Sequence, residues 1–129
     1  MSYVQTLTEP DIEFGKQLWQ SLRGNKKFPV EGVLWLLEPE TDEWHLVIAT
    51  PRVDAIGPRD AYRELAELTR DVPADSAQLL KIELVSPNQE FYKALRNVFG
   101  HTASVEGARL GNTSVAGTYI NGAYLYEVH

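Results

Sequence analysis

Two apolar runs of strand length, separated by a short polar segment, constrain the fold of this chain more than any other feature. The runs cover residues 32–38 and 44–50, and both are rich in β-branched and aromatic side chains. Residues 39–43 between them are turn formers. This pattern predicts a β-hairpin, because two strand-length runs joined by a short turn pair antiparallel.

Both faces of the predicted hairpin are apolar. Successive side chains of a strand point to opposite sides. Leu34 and Leu36 therefore face one side of the first strand. Val33 and Trp35 face the other. A hairpin of this kind needs cover on both sides, either from helices or from a sheet neighbour and a partner surface.

The length and composition indicate one globular domain. A chain of 129 residues is the size of an ordinary domain, and we assign residues 1–129 to a single one. Apolar residues make up 43% of the chain and charged residues 23%, as in soluble proteins. No apolar run approaches the roughly 20 residues that span a bilayer, so we expect no membrane association. Residues 1–5 lack a basic patch followed by an apolar core, so we predict no signal peptide.

Charge and cysteine content narrow the classes of partner. The chain carries 18 acidic and 12 basic side chains, a net charge of −6. Such a surface repels phosphate backbones, and only residues 23–28 combine several basic side chains with an aromatic one. We therefore expect no nucleic-acid partner. The sequence has no cysteine, which excludes disulfides and is compatible with the cytoplasm, where we place the protein.

Residues 8–23 predict the first helix. Thr8 is a suitable N-cap, Pro10 is tolerated in the first turn, and Asp11 stands three residues after the cap. Apolar and small residues then recur at helical spacing and form one stripe that needs a sheet face to cover. The stripe consists of Ile12, Gly15, Leu18, Trp19 and Leu22.

Two more helices flank a third strand. The second helix begins at Pro58, since proline is favoured at the first helical position, and continues to Val72. Residues 79–86 alternate apolar and charged side chains, which predicts a strand with one buried face. The third helix begins at Ser86, a capping residue followed by proline, and ends at Gly100.

The C-terminal part of the chain predicts a β-meander. Gly111-Asn112 and Asn121-Gly122 are two-residue turn signals. They separate three predicted strands, at residues 104–110, 113–120 and 123–128. With the preceding segments, this gives a single α+β domain in the order α-ββ-α-β-α-βββ. We expect a mixed, mostly antiparallel sheet of five or six strands with three packed helices.

The loop of residues 50–60 is the best candidate for a ligand pocket. It leaves a buried strand and enters a helix, where free backbone N–H groups and the helix dipole favour an anion. Thr50, Arg52 and Arg59 are candidate anion ligands, and Asp54 is a competing acid. An ordinary strand-to-helix connection is the commoner explanation of such a loop.

His45 is the one histidine inside a predicted strand. Asp42 and Glu43 are its sequence neighbours, but strand alternation sends Asp42 to the opposite face. These residues do not converge, so the sequence predicts no metal site and no cofactor. Lys81 and Glu83 lie on one side of the third strand, where a surface ion pair is the simplest explanation.

Three tyrosines of the tail are candidate interface residues: Tyr119, Tyr124 and Tyr126. Tyrosine is enriched at protein interfaces because its ring is apolar and its hydroxyl still satisfies a partner. We place Tyr124, Tyr126 and Val128 on one face of the last strand. Packing in the core is the alternative for these rings, and a last strand at a sheet edge would also be able to pair with a second chain.

No catalytic signature is present in the sequence, and we name no catalytic residue. A nucleophile-elbow serine, a zinc-binding His-Glu-x-x-His helix and a nucleophilic cysteine are all absent. The leading hypothesis is a small cytoplasmic interaction or regulatory module, either a homodimer or one half of a complex. The alternative is a protein or enzyme that binds a small anion or phosphate ligand through residues 50–60.

Overall fold

The computed structural model describes residues 6–101 and 104–129. The N-terminal residues 1–5, for which we predicted no signal peptide, lie outside this part of the chain. The described residues form an α+β domain with a five-stranded mixed sheet, which confirms the predicted class. In chain order the elements are α1 (Glu9–Leu22), β1 (Gly32–Leu37), β2 (Trp44–Ala49), α2 (Arg52–Ile56), α3 (Pro58–Leu68), α4 (Ser76–Leu80), β3 (Ile82–Val85), α5 (Glu90–Phe99), β4 (Arg109–Val115) and β5 (Thr118–Val128).

The predicted hairpin is the centre of the sheet. The strand order is β3-β2-β1-β5-β4, and all neighbours are antiparallel except β2 and β3, which are parallel. Gly32 pairs with Ala49 at one end of the hairpin and Leu37 pairs with Trp44 at the other. The turn closes with a hydrogen bond of 2.9 Å from the Glu38 N–H to the Glu43 carbonyl.

Helices cover both faces of the hairpin, as its sequence requires. One face, which we call the α1 face, packs Val33 and Trp35 against α1 and α3. The opposite face, the α5 face, packs Leu34 and Leu36 in one cluster with residues of α5. The sheet is therefore the middle layer of three, and the predicted shelter is provided by this chain's own helices. In the described part of the chain, no helix combines the length and apolarity needed to cross a bilayer.

The first helix is capped as predicted and approaches the sheet closely. The Thr8 hydroxyl accepts a hydrogen bond of 3.3 Å from the Asp11 N–H. At Gly15 the helix backbone touches the ends of two buried side chains, Tyr126 and Trp35, so that a Cβ atom there would collide with both. Glycine at this position lets α1 lie directly on the strands.

The connection from β2 to β3 is more helical than predicted. Residues 52–56, expected as a loop, form the short helix α2. Helix α3 begins at Pro58 as predicted but ends at Leu68, not Val72. The strand predicted for residues 79–86 is also wrong at its start, since it begins only at Ile82. A reciprocal capping box between Asp75 and Gln78 stabilises a helical turn there, and this turn contains Leu79 and Leu80.

The third long helix, α5, begins later than its capping signal indicated. Ser86 does not cap it; Gln89 occupies the N-cap position. The Ser86 hydroxyl instead accepts a hydrogen bond of 3.1 Å from the Asn88 N–H and donates one of 2.7 Å to Asp54. Ser86 therefore stabilises a turn that precedes the helix. Gly100 ends α5 as predicted.

The predicted meander is a hairpin of two long strands, so residues 104–110 do not form a separate strand. The turn lies at Ala116 and Gly117, which both have positive φ angles, 46° and 86°. The two expected turn signals instead face each other within the ladder, where Gly111 pairs with Gly122. Gly122 lies beneath the Trp44 ring, and a Cβ atom there would stand 3.0 Å from it. The missing side chain thus serves packing and not a turn.

A β-bulge in β5 changes which residues share a face. The register between β1 and β5 shifts between Val33 and Leu34. Tyr124 and Tyr126 consequently pack on the α1 face, whereas Val128 joins Leu125 in the cluster on the α5 face. Our prediction that Val128 shares a face with the two tyrosines is therefore wrong.

Candidate functional site

Three of the four residues proposed for an anion site, Thr50, Arg52 and Asp54, make hydrogen bonds within the chain, whereas Arg59 is exposed. Thr50 is fully buried; its hydroxyl donates a hydrogen bond of 2.6 Å to the Pro29 carbonyl and accepts one of 3.2 Å from the Arg52 N–H. Asp54 accepts the Ser86 hydroxyl, and Arg59 is exposed at the start of α3.

The Arg52 guanidinium is held by a carboxylate of the same chain. Its Nε and a terminal nitrogen donate hydrogen bonds of 2.9 and 3.2 Å to the two carboxylate oxygens of Glu64. This is the bidentate geometry that favours arginine with carboxylates. An anion at Arg52 would have to displace Glu64, so the geometry gives the anion hypothesis little support.

The basic segment of residues 23–28 does not present its aromatic ring, that of Phe28, to a ligand. Phe28 is buried on the α1 face and cannot stack on a base. The Asn25 side chain accepts hydrogen bonds from the backbone N–H groups of Lys27 and Phe28 and so shapes the loop. The Arg23 guanidinium lies 4.7 Å from the Trp19 ring centroid.

The three tail tyrosines occupy different environments. Tyr126 is 2% exposed and is a core residue. Tyr124 is half-buried; its ring forms a T-shaped contact with that of Tyr126, and the Arg109 guanidinium lies 5.0 Å from its centroid. Tyr119 is 57% exposed, and its hydroxyl donates a hydrogen bond of 3.3 Å to the Asn112 side chain. Of these rings, Tyr119 is the one available to a partner.

Neither edge of the sheet offers a regular strand for pairing. The last strand, β5, is internal, because it lies between β1 and β4. At the β3 edge, the Leu84 N–H donates a hydrogen bond of 2.9 Å to the Tyr62 hydroxyl and is not free for a partner strand. At the β4 edge, Asn112 has a φ of 43°, which interrupts the extended backbone. Such features are typical of edges protected against strand addition.

Glu38, His45 and Glu83 converge at the turn end of the central hairpin, and we call them the hairpin triad. The His45 Nδ1 lies 3.0 Å from a Glu83 carboxylate oxygen and 3.9 Å from one of Glu38. One potential ligand atom from each residue lies within 4.8 Å of the others. The His45 Nε2 faces Glu43 at 3.7 Å.

Strand register explains the convergence of the triad. His45 pairs with Leu36, and Glu83 pairs with Val47. Directly opposed residues place their side chains on the same face, and both partners belong to the α5 face. Sequence reasoning considered only the neighbours of His45 and therefore missed Glu38 and Glu83. The hairpin pattern was enough to find Glu38, which stands across the turn from His45; Glu83 required the parallel register.

The two carboxylates of the triad have no lysine or arginine beside them among the described residues. Burial raises the pKa of the Glu38 carboxyl, and the nearby Glu83 carboxylate raises it further. The expected ion pair between Lys81 and Glu83 does not form, because Lys81 ends α4 and faces Asp11 at 3.6 Å. Throughout residues 6–101 and 104–129, no lysine or arginine forms an ion pair with either triad carboxylate.

A groove of about 340 Å³ adjoins the triad on the α5 face, and we call it the hairpin groove. Its lining is apolar toward the sheet and α5, and acidic at one end. The residues that matter for its chemistry are Leu36, Val47, Phe91, Tyr119 and Ile120, with Glu38 and Glu83 at the acidic end.

Comparison with known proteins finds no relative of this chain. No family model matches the chain, and no curated protein or solved structure matches it at a significant level. The functional argument therefore depends on the residues of the groove and the triad.

Proposed function

We propose that this protein is a small interaction module that binds a segment of a partner protein in the hairpin groove beside Tyr119. The observation that carries the proposal is the groove itself, in which apolar side chains and two carboxylates share one concave surface. Concave apolar sites with a few polar groups are the usual form of a specific binding site.

The apolar lining favours a partner segment that inserts an apolar side chain. Val47 and Ile120 belong to the core cluster of the α5 face, and Phe91 packs against that cluster at the groove. Tyr119, at the same groove, exposes more than half of its surface. Tyrosine is enriched among the residues that contribute most of the binding energy at protein interfaces.

The charge favours a basic partner over a second copy of this chain. Glu38 and Glu83 stand at one end of the groove, and the whole chain has a net charge of −6. Two copies would bring like charges together, whereas a lysine or arginine next to an apolar residue would be attracted. We therefore propose a hetero-complex, with the homodimer as the alternative that light scattering tests. The lack of cysteine suits a reducing compartment, and the proposal includes a cytoplasmic location.

A peptide selection tests the proposal directly. Random peptides displayed on phage are selected on the purified protein, and enrichment of a basic residue adjacent to a large apolar one is expected. An amide chemical-shift map with the selected peptide should place the largest changes around Phe91 and Ile120.

A matched pair of variants locates the binding surface. Tyr119→Ala should lower the affinity for the selected peptide by roughly tenfold or more, because truncation of an interface aromatic residue commonly has an effect of this size. Val98→Ala removes an apolar side chain of similar exposure, 50%, that does not line the groove, and should leave binding unchanged. Equal affinities for wild type and Tyr119→Ala, or shifts confined to another surface, would rule out the groove.

A further inference from the structure

We infer that Glu38, His45 and Glu83 form a binding site for a divalent transition-metal ion at the acidic end of the hairpin groove. The inference goes beyond the proposed function, since it requires no protein partner, and a bound ion would compete with a partner's basic residue for Glu38 and Glu83. It arises from three side chains that different strands bring together, combined with the outer carboxylate of Glu43.

The spacing of the donor atoms suits a single ion. Zinc lies about 2.0–2.2 Å from nitrogen and oxygen ligands, so ligand atoms around it stand roughly 3–4.5 Å apart. The His45 Nδ1 is 3.0 Å from Glu83 and 3.9 Å from Glu38. The donor atoms of the three residues all lie within 4.8 Å of one another. Only small side-chain movements are therefore needed to coordinate an ion between them.

The imidazole is oriented for coordination through Nδ1. Glu43 lies 3.7 Å from Nε2, on the side of the ring away from the other two carboxylates. The His45 Nδ1 also lies within hydrogen-bond distance of the Glu83 carboxylate, so a metal bound at Nδ1 would replace the proton shared there and leave the ring protonated on Nε2, next to Glu43. Carboxylates that hold a histidine in this way are the common outer-sphere partners of metal ligands.

In the described part of the chain, the two carboxylates of the site also lack a lysine or arginine to offset their charge. The carboxylates of Glu38 and Glu83 both lie beside the His45 Nδ1, and within the described residues neither forms an ion pair with a lysine or arginine. All three side chains retain partial solvent access, from 30% to 41%, so that an ion can enter. A bound cation would offset the repulsion between Glu38 and Glu83.

The ligand set favours a transition metal over magnesium or calcium. Imidazole suits zinc, copper, iron and nickel, whereas calcium and magnesium prefer oxygen ligands. Three protein ligands leave at least one coordination position open, as in zinc sites that bind water or a substrate group. Glu38 and Glu83 also line the groove, which places this open position next to a space of about 340 Å³.

Calorimetry with the metal-free protein tests the inference. Chelator-treated full-length protein is titrated with zinc chloride, and separately with manganese and magnesium chlorides. We expect one zinc per chain and weaker binding of magnesium. Substituting His45→Ala or Glu83→Gln should lower the affinity for zinc by at least about tenfold. Cobalt(II) should give visible absorption bands in the wild type that both variants lose.

His101→Ala is the matched control, because His101 is an exposed histidine outside the triad. It should bind zinc as the wild type does, and circular dichroism should show that all variants keep the fold. Absence of stoichiometric zinc binding by the wild type, or undiminished binding by folded Glu83→Gln protein, would overturn the inference. Tyr119→Ala should retain the metal, so failure of the metal site and failure of partner binding are distinguishable.

Discussion

The hydroxyl of Tyr126 donates a hydrogen bond of 2.7 Å to the backbone oxygen of Ile12 and so joins the last strand to the first helix. The same hydroxyl accepts a hydrogen bond of 3.1 Å from the indole Nε1 of Trp35 in the central strand. One oxygen thus connects three elements inside the core. The close approach of α1 at Gly15 makes this arrangement possible.

Replacing Tyr126 with phenylalanine should destabilise the fold by about 1–3 kcal/mol, because the buried indole N–H of Trp35 loses its acceptor. Urea denaturation followed by tryptophan fluorescence measures the change. Tyr119→Phe removes an exposed hydroxyl and should remain within about 0.5 kcal/mol of the wild type. Similar stability of the two variants would contradict the role of the buried network.

Gly15→Ala should also destabilise the protein, although alanine favours helices by about 1 kcal/mol over glycine. The added methyl group would press against the Tyr126 hydroxyl and the Trp35 indole. Overpacking of this kind commonly costs about 1–3 kcal/mol. Lys16→Ala, on the exposed side of the same helix, is the control and should change stability little. A more stable Gly15→Ala protein would show that α1 does not lie on these rings.

The fold was predictable where local patterns and packing agree. The double-sided hairpin, the Thr8 cap and the start of α3 at Pro58 all follow from residue type and spacing. The C-terminal hairpin was not predictable in detail, because Gly111 and Gly122 resemble turn residues but pair with each other within the ladder, where Gly122 lies beneath Trp44. Local signals cannot distinguish a glycine that turns from one that makes room for a ring.

The site was predictable only in part, and for a related reason. His45 was identified as a strand histidine, but its partners depend on which strands are neighbours and in which register. Glu83 reaches His45 because β3 pairs in parallel with β2, and this pairing is set by the crossover through α2, α3 and α4. Single-residue properties contain no information on that alignment.

Stability should fall at alkaline pH because of Tyr92. Burial raises the pKa of Tyr92 from 10.0 to about 12, and its hydroxyl donates a hydrogen bond of 2.9 Å to the His129 carbonyl. Above pH 10 the unfolded chain therefore loses a proton that the folded protein retains. The free energy of unfolding should be unaffected by this group below pH 10 and decrease by about 1.4 kcal/mol per pH unit up to about pH 12.

Urea denaturation at pH 9, 10 and 11 measures this effect. Burial also raises the pKa of Tyr126, which adds to the alkaline loss. Tyr92→Phe should reduce the slope above pH 10 by about 1.4 kcal/mol per unit. An identical slope in Tyr92→Phe would show that Tyr92 titrates alike in the folded and unfolded states.

The ion pair between Arg52 and Glu64 distinguishes a structural contact from an anion site. The side chains are 28% and 37% exposed, so a double-mutant cycle with Arg52→Ala and Glu64→Ala should give a coupling of about 1 kcal/mol or less. Phosphate should produce no gain in Tm for the wild type, because Glu64 already occupies the guanidinium. A gain that Arg52→Ala abolishes would instead support the anion hypothesis. Glu64→Gln is the variant to compare with the wild type in this phosphate experiment. It removes the carboxylate that holds Arg52, which is the change that would allow phosphate to bind.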